Sequence, residues 1–204
     1  MSKIPTNTEY KAFDPIKQDW YCPDHDAELI FHGNCGNAIN WNEVIDIVKD
    51  KEGTVLPNLI WDNPHFEEMK KLYTESNYII EASEWINYYP EQDYDISINE
   101  KFGEFVGYPK YARAWISRIN PGKTAPWHWD LDDKEAEYIE KGDLIRFVCK
   151  MNIPAPGQVT IIGNNTIHGG LQGDIYEWPD HRMWHGSVNC GLKPKYQFNY
   201  LGYR

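Results

Sequence analysis

The chain has 204 residues, of which 41% are hydrophobic and 15% aromatic, with nine Trp and fourteen Tyr. This length and apolar content predict one globular domain over residues 1–204 that buries its own core, and the many aromatic rings favour a sheet over a helix bundle. The net charge of −11 disfavours a nucleic-acid ligand, because an acidic surface repels a phosphate backbone.

The charge is divided unevenly along the chain. Residues 1–140 carry 13 Lys+Arg and 27 Asp+Glu (13 − 27 = −14), whereas residues 141–204 carry 7 and 4 (7 − 4 = +3). An anionic ligand is therefore expected to meet the C-terminal third.

Targeting signals and disulfides are not predicted. No stretch approaches the roughly 20 apolar residues of a membrane span, and the N-terminal "MSKIPTNTEYKAF" lacks the apolar core of a signal peptide. We therefore expect a soluble, cytoplasmic protein without a membrane partner. The cysteines are too scattered for a disulfide framework, which predicts reduced thiols; they are Cys22, Cys35, Cys149 and Cys190.

Helices are predicted in the N-terminal half. "NWNEVIDIVKDKEG" (40–53) begins with Asn40 as an N-cap and Glu43 three residues later, and it ends at Gly53. "DNPHFEEMKKLYTES" (62–76) has Pro64 at its first helical position, and "ISINEKFGEFVGY" (96–108) is a third candidate. Residues 1–110 are thus expected to form a helical part of the domain.

From Tyr111 onward the pattern changes to short runs separated by Gly, Pro and Asn. Short runs separated by these turn residues predict an all-β sandwich or barrel. The fold expected for the whole chain is therefore mainly β with N-terminal helices (α+β), in which the helical part packs on a β core of residues 111–204. The predicted runs are "YARAWISRI", "APWHWD", "DLIRFVCKMNI", "QVTIIG", "TIHGG", "DIYEWP", "RMWHGSVN" and "KYQFNYLGY".

The run "PWHWD" places a possible pair of metal ligands on one strand. In an extended segment His128 and Asp130 project from the same face, and Trp127 and Trp129 project from the other. A facial triad of two His and one carboxylate needs a third donor from elsewhere in the chain. The candidates are His168, His181 and His185; a helix around His181 is disfavoured by Pro179 and Gly186, so His168 and His181 are expected to be loop residues.

An ordered set of motifs resembles the Fe(II)/2-oxoglutarate-dependent oxygenase superfamily, in its aspartyl/asparaginyl β-hydroxylase-like branch. The motifs span residues 111–204 and are "RINPGKTAPWHWD", "LIRFVCKMNIP" and "GDIYEWPDHRMWHGSVNCGLKPKYQF". The resemblance implies a double-stranded β-helix, which is a jelly-roll or cupin-like barrel. It also implies Fe(II) and 2-oxoglutarate as cofactors, with ascorbate as reductant in assays.

The resemblance carries over to individual residues. His128, Asp130 and His185 match the iron triad, while Lys195 matches the residue that pairs with the distal carboxylate of 2-oxoglutarate and Arg146 matches an arginine of the same cosubstrate site. The chain departs from the branch in two places: Lys195 stands where Arg is usual, with Lys193 as a competitor, and Val148 stands where a second His is frequent. Lys cannot make the bidentate contact of Arg.

Strand periodicity gives independent support for the site that the resemblance implies. In "KPKYQFNYLGY", the side chains of Lys195, Gln197 and Asn199 share one face, and Tyr196, Phe198 and Tyr200 share the other. In "DLIRFVCKMNI", Arg146, Val148 and Lys150 share a face in the same way. Two cationic strands are therefore expected to converge on one dianion.

The substrate predicted from the resemblance is an amino-acid side chain, free or in a peptide, and the acidic N-terminal part favours a neutral or basic one. The aromatic residues Trp127, Trp129 and Trp184 are expected to wall the site. The function predicted is thus a dioxygenase that hydroxylates a small-molecule or peptide substrate.

Other functions stay open at the level of sequence. One is a cupin-like metalloenzyme that uses the same ligands without 2-oxoglutarate, and another is a non-catalytic jelly-roll module. Neither of these two functions requires a buried cation at Lys195, ten residues after His185, so this residue favours the oxygenase. Separately, the two-residue gaps of "CPDH" and "HGNC" have the spacing of structural zinc ligands; an ordered loop is the simpler interpretation of Cys22, His25, His32 and Cys35.

Overall fold

The computed structural model describes residues 29–56, 71, 75, 82–128, 144–163, 165–178 and 185–203, without the side chains of Trp127 and Trp178. Eleven strands and two helices can be followed from end to end within these residues. The helices are α1 (Trp41–Val48) and α2 (Ser97–Val106). Residues 71 and 75 are also helical, whereas the rest of the helix predicted over 62–76 lies outside the described residues.

The strands form two antiparallel sheets. The larger sheet has the order β1-β9-β6-β11-β4-β3-β2 and the smaller one β5-β10-β7-β8. The strands are β1 (Ile30–Asn34), β2 (Thr54–Leu56), β3 (Trp85–Tyr88), β4 (Lys110–Ile119), β5 (Lys123–His128), β6 (Ile145–Lys150), β7 (Gln158–Ile162), β8 (Asn165–His168), β9 (Asp174–Trp178), β10 (His185–Asn189) and β11 (Lys195–Tyr203).

The chain crosses between the sheets repeatedly from β4 to β11. Strands β4, β6, β9 and β11 lie in the larger sheet, and β5, β7, β8 and β10 lie in the smaller one. Side chains from the two sheets meet between them, since Val148 of β6 packs with Ile162 of β7 and Ile167 of β8. This connectivity is a double-stranded β-helix, and the predicted jelly-roll fold is confirmed.

Strand β11 separates a packed face from a polar face. Its Tyr196, Phe198 and Tyr200 belong to the main core, where the Phe198 ring lies 5.5 Å from Trp41 of α1 and 4.9 Å from Phe102 of α2, between ring centroids. The helices therefore cover the outer face of the larger sheet. The alternating residues Lys195, Gln197 and Asn199 face the smaller sheet, as the periodicity predicts.

Both fully described helices lie where the sequence predicts them, with shifted ends. Helix α1 starts after Asn40, which makes no side-chain capping bond, and it ends at Val48 rather than at Gly53. Helix α2 ends at Val106 and is capped by Gly107, whose φ of 78° is in the left-handed region that glycine adopts without strain. The close approach of α2 to β11 requires a glycine at position 103, because a Cβ there would overlap the Tyr200 hydroxyl.

Three strands lie within residues 1–110, where only helices were predicted. Strand β3 joins the larger sheet through β4, β2 pairs with β3, and β1 pairs with β9 on the far edge. Such short runs acquire strand structure from their partners rather than from their own propensity. Among the described residues, no helix combines the length and apolar character needed to cross a membrane.

Candidate functional site

Two histidines face each other on neighbouring strands of the smaller sheet. His128 ends β5, His185 begins β10, and the antiparallel register makes their Cα atoms direct partners. The centroids of their rings lie 4.4 Å apart, and both side chains are buried. Residues that are 57 positions apart in the chain (185 − 128) are thus brought together by the pairing of β5 with β10.

The surroundings of His128 fix its protonation and its orientation. Its Nδ1 donates a hydrogen bond to the carbonyl oxygen of Pro126 at 2.5 Å, which leaves Nε2 with its lone pair. Burial lowers the pKa of His128 to about 4, with a smaller contribution from the charge of Arg146, so the ring is neutral at neutral pH. The ring also stacks on Trp85 at 5.7 Å and 25°. A neutral, oriented imidazole is what a metal ion requires.

The other predicted metal-ligand candidates are placed differently. Asp130 and His181 lie outside the described residues, so the carboxylate of the triad stays a prediction. His168 is the exposed last residue of β8, so its prediction as a loop residue is wrong, because pairing with β7 makes it part of a strand. Its Cα partner is Val159 rather than a residue of the His128–His185 row. Among the residues that the structure describes, no group of three or more His, Cys, Asp or Glu is close enough to hold a metal.

Lys195 is a buried cation surrounded by neutral oxygens. Its Nζ donates to the carbonyl oxygen of Val159 at 2.7 Å and to the hydroxyls of Thr160 and Ser187. Burial lowers the pKa of Lys195 to about 7, and the charge of Lys150 contributes in the same direction. Within the described part of the chain no carboxylate pairs with Lys195, and a buried ammonium without a counter-ion is costly.

A hydrogen-bonded series of side chains, here named the polar stripe, continues from Lys195 between the sheets. The Thr160 and Ser187 hydroxyls lie 3.4 Å from Gln197 Oε1, and Gln197 Nε2 donates to Asn199 Oδ1 at 3.4 Å. Asn199 Nδ2 then donates to Ser117 Oγ at 3.1 Å, and Ser117 Oγ donates to Asn87 Oδ1 at 2.7 Å. The polar side chains between the sheets thus bond to one another in a continuous series, beside the apolar cluster of Val148, Ile162 and Ile167.

Arg146 lies beside another part of the polar stripe. Its Nη2 donates to Asn199 Oδ1 at 3.5 Å, and its guanidinium lies 4.8 Å from the ring centre of Trp115. Burial lowers the pKa of Arg146 to about 9, helped by the charge of Arg113.

The two predicted cosubstrate cations contact different side chains. The backbone partner of Arg146 is Leu201, six positions from Lys195 along β11 (201 − 195), or roughly 20 Å of strand. Arg146 and Lys195 therefore lie at different points along these two strands, and the role of Arg146 toward a cosubstrate stays a prediction. Lys193, the predicted competitor of Lys195, is exposed.

Several residues of the site escaped the sequence prediction. Thr160 and Ser187 hold Lys195, Trp85 stacks on His128, and Trp115 packs under Arg146. Ser187 could have been found, because it follows His185 by two positions and so shares its face of the strand. Thr160, Trp85 and Trp115 carry no such local signal. Of the predicted aromatic walls, Trp129 and Trp184 lie outside the described residues, and the Trp127 side chain is not described.

The described members of the possible zinc-ligand cluster (Cys22, His25, His32 and Cys35) contact other residues. His32 Nδ1 lies 2.8 Å from Glu177 Oε2, and Cys35 Sγ lies 3.7 Å from Cys149 Sγ in the core. Cys22 and His25 lie outside the described residues. His32 and Cys35 thus contribute to the packing of the segment around β1.

No protein-family model matches the chain, and no curated protein matches it in sequence. Among solved structures the chain is similar to a viral collagen prolyl hydroxylase from Paramecium Bursaria Chlorella virus-1, in a 2OG complex, with 17% identity and a TM-score of 0.40 over 78% of this chain and 99% of that one. It is also similar to a sugar phosphate isomerase from a cupin superfamily from Silicibacter pomeroyi, with 17% identity and a TM-score of 0.31 over 50% of this chain and 55% of that one.

A third similar structure is a salicylate 1,2-dioxygenase from Pseudaminobacter salicylatoxidans, with 14% identity and a TM-score of 0.35 over 73% of this chain and 34% of that one. The chain spans less than two thirds of the length of the isomerase and of the dioxygenase. The activities belong to the matched proteins, and the jelly-roll assignment of this chain rests on its own strand order.

Proposed function

We propose that this protein is a non-haem Fe(II)- and 2-oxoglutarate-dependent oxygenase that hydroxylates an amino-acid or peptide side chain. The observation that supports it is an arrangement of three buried side chains. The rings of His128 and His185 lie 4.4 Å apart. The Lys195 ammonium donates a hydrogen bond to Ser187, which lies two positions beyond His185 on β10. Neutral imidazoles suit a divalent transition metal, and the ammonium suits a carboxylate.

His128 and His185 would hold the metal, with Asp130 as the predicted third ligand. Nε2 of His128 would be the ligand atom, because Nδ1 donates to the carbonyl oxygen of Pro126. When bound, Fe(II) supplies the activation of dioxygen, coupled to oxidative decarboxylation of 2-oxoglutarate to succinate and carbon dioxide. Trp85 restricts the His128 ring to one orientation by stacking on it, and the buried surroundings exclude water from the reacting groups.

Lys195 would bind the distal carboxylate of 2-oxoglutarate. Two residues of a strand advance about 7 Å, so the row of Ser187 and Thr160 lies one such step from the row of the two histidines. This separation suits a short keto dicarboxylate with its keto acid end at the metal and its other carboxylate at Lys195. The hydroxyls of Thr160 and Ser187 hold the ammonium in place.

Succinate release is the direct test. We expect the protein, incubated in air with Fe(II), ascorbate and 2-oxoglutarate, to form succinate, and we expect His128→Ala and His185→Ala to lose both Fe(II) binding and succinate formation. Lys193→Ala changes an exposed lysine of the adjacent loop and serves as the matched control. Binding of Fe(II) to the parent without any use of 2-oxoglutarate would instead support the cupin-like metalloenzyme.

Folding must be separated from ligand loss in these variants. His128 and His185 are buried, so circular dichroism and thermal unfolding should accompany each binding measurement. Full iron-dependent activity in His185→Ala, together with its loss in His168→Ala, would contradict the proposed ligand set.

A further inference from the structure

A pocket between the sheets contains a second lysine beside Lys195. Its wall includes Lys150, Lys195, Gln197, Tyr176, Ile167 and His168. Lys150 of β6 is the direct Cα partner of Gln197 on β11, and Gln197 in turn contacts the Thr160 and Ser187 hydroxyls that hold Lys195. The register of the larger sheet thus delivers two cationic side chains to one pocket.

Lys150 is held by neutral groups, as Lys195 is. Its Nζ donates to the carbonyl oxygen of Gly169 at 2.5 Å and to the Tyr176 hydroxyl at 3.3 Å, and it lies 4.8 Å from the centre of the Tyr176 ring. Burial lowers the pKa of Lys150. Lys150 is less buried than Lys195, which places it nearer to the rim of the pocket.

The nearest acidic influence on Lys150 is Asp174, whose charge raises the pKa of Lys150. The Asp174 carboxylate is already occupied: Oδ2 accepts from the Leu171 backbone N–H at 2.7 Å, and Oδ1 accepts from Asn34 Nδ2 at 2.7 Å. Among the described residues, neither Lys150 nor Lys195 has a carboxylate oxygen within salt-bridge distance. Two ammonium groups therefore share a pocket whose polar contacts are neutral, and an anion would relieve this arrangement.

We propose that Lys150 and Lys195 form a two-lysine site that binds one carboxylate of a small dicarboxylate, with Lys195 as the inner anchor and Lys150 as the outer one. The identification of that dicarboxylate as 2-oxoglutarate rests on the proposed function. The anion chemistry itself does not, because it follows from the two lysines and the neutral wall of Gln197, Tyr176 and Ile167. Lys150 is thus a binding residue for the ligand, in addition to its contact with Gly169.

The test is calorimetric titration of 2-oxoglutarate and of succinate into the metal-free full chain. We expect both dicarboxylates to bind, and we expect Lys150→Met to weaken each about tenfold or more, since removal of one partner from a charge-assisted contact has effects of that order. Lys150→Arg keeps the charge and should retain most of the affinity. Lys101→Met, at an exposed position of α2, should bind as the parent does.

Lys150→Gln separates the binding role from a structural one. Its amide can still donate to the Gly169 carbonyl, so it should preserve the melting temperature, but it lacks the charge and should bind as weakly as Lys150→Met. Parent-like affinity in Lys150→Gln would overturn the proposal and leave Lys150 as a support for the loop after β8. Failure of the parent to bind either dicarboxylate would overturn it as well.

These outcomes are distinguishable from failure of the proposed function. If succinate binds in a Lys150-dependent way but no succinate is formed from 2-oxoglutarate with Fe(II), the two-lysine site stands and the oxygenase assignment fails. If Lys195→Met abolishes binding while every Lys150 variant matches the parent, the two-lysine site fails and the proposed carboxylate contact of Lys195 stands, whatever the outcome of the succinate assay.

Discussion

At the scale of single residues, the burial of Lys195 makes cosubstrate binding depend on pH. Its folded pKa of about 7 lies below the ordinary value of 10.5, so the ammonium that attracts a carboxylate is lost as pH rises through about 7. We expect the Kd for 2-oxoglutarate to increase between pH 6.5 and 8.5, measured by titration calorimetry. Lys195→Arg should bind without this dependence, because arginine stays charged; an unchanged Kd in the parent would contradict the prediction.

The same residue should affect the stability of the ligand-free protein in the opposite direction. Between pH 7 and about 10.5 the unfolded chain keeps the Lys195 proton that the folded chain releases, so stability gains from rising pH in this window. The difference in unfolding free energy between the parent and Lys195→Met isolates this contribution from other titrating groups. We expect the unfolding free energy of the parent to increase relative to that of Lys195→Met as pH rises. A difference that stays constant with pH would contradict the lowered pKa of Lys195.

At the scale of elements, the contact between α2 and β11 depends on the missing side chain of Gly103. A Cβ there would overlap the Tyr200 hydroxyl and lie 2.8 Å from the Tyr108 carbonyl oxygen, two groups joined by a hydrogen bond of 2.7 Å. Alanine is the better helix former by about 1 kcal/mol, but overpacking costs roughly 1–3 kcal/mol. We therefore expect Gly103→Ala to lower the free energy of unfolding, measured in urea.

Two controls belong with this substitution. Glu104→Ala changes an exposed position of the same helix and should have little effect. In a Tyr200→Phe background the hydroxyl is absent, so the additional cost of Gly103→Ala should be smaller. Equal costs in both backgrounds would show that the Tyr200 hydroxyl does not limit the approach of α2.

The core strands were predictable from sequence because each signal was local. In β11 the alternation of Lys195, Gln197 and Asn199 with aromatic residues sets both faces of the strand, and Gly and Pro mark the ends of the neighbouring runs. Strand β3 was missed because Trp85–Tyr88 is buried at all four positions and so shows no alternation.

The site was less predictable because much of it forms by convergence in space. His128 was singled out by its place in "PWHWD", whereas His185 was chosen among three histidines through the resemblance, and the residues that hold Lys195 come from different strands. Thr160 has no feature in "QVTIIG" that marks it as a partner of Lys195, and Lys150 resembles any alternating lysine until the pairing with Gln197 is known. Register between distant strands is set by the whole fold and not by any one segment.

At the scale of the whole molecule, the charge distribution bears on the substrate. The chain carries −11 overall, and a negative surface lowers the local concentration of nucleic acid. We expect succinate release to be stimulated by a member of a panel of amino acids and peptides, with neutral or basic ones favoured, and not by oligonucleotides. Stimulation by methylated DNA or RNA alone would show that the proposed substrate class is wrong.

The position of β11 in the sheet has a consequence for how the protein is made. Strand β11 is the last described strand to be synthesised, yet it lies between β4 and β6 in the larger sheet, and its first residue is Lys195. The edges of β4 and β6 that face β11 therefore stay unpaired until residues 195–203 have been synthesised, and pairings so distant in sequence form slowly. Nascent chains arrested before Lys195 should be protease-sensitive and should depend on chaperones.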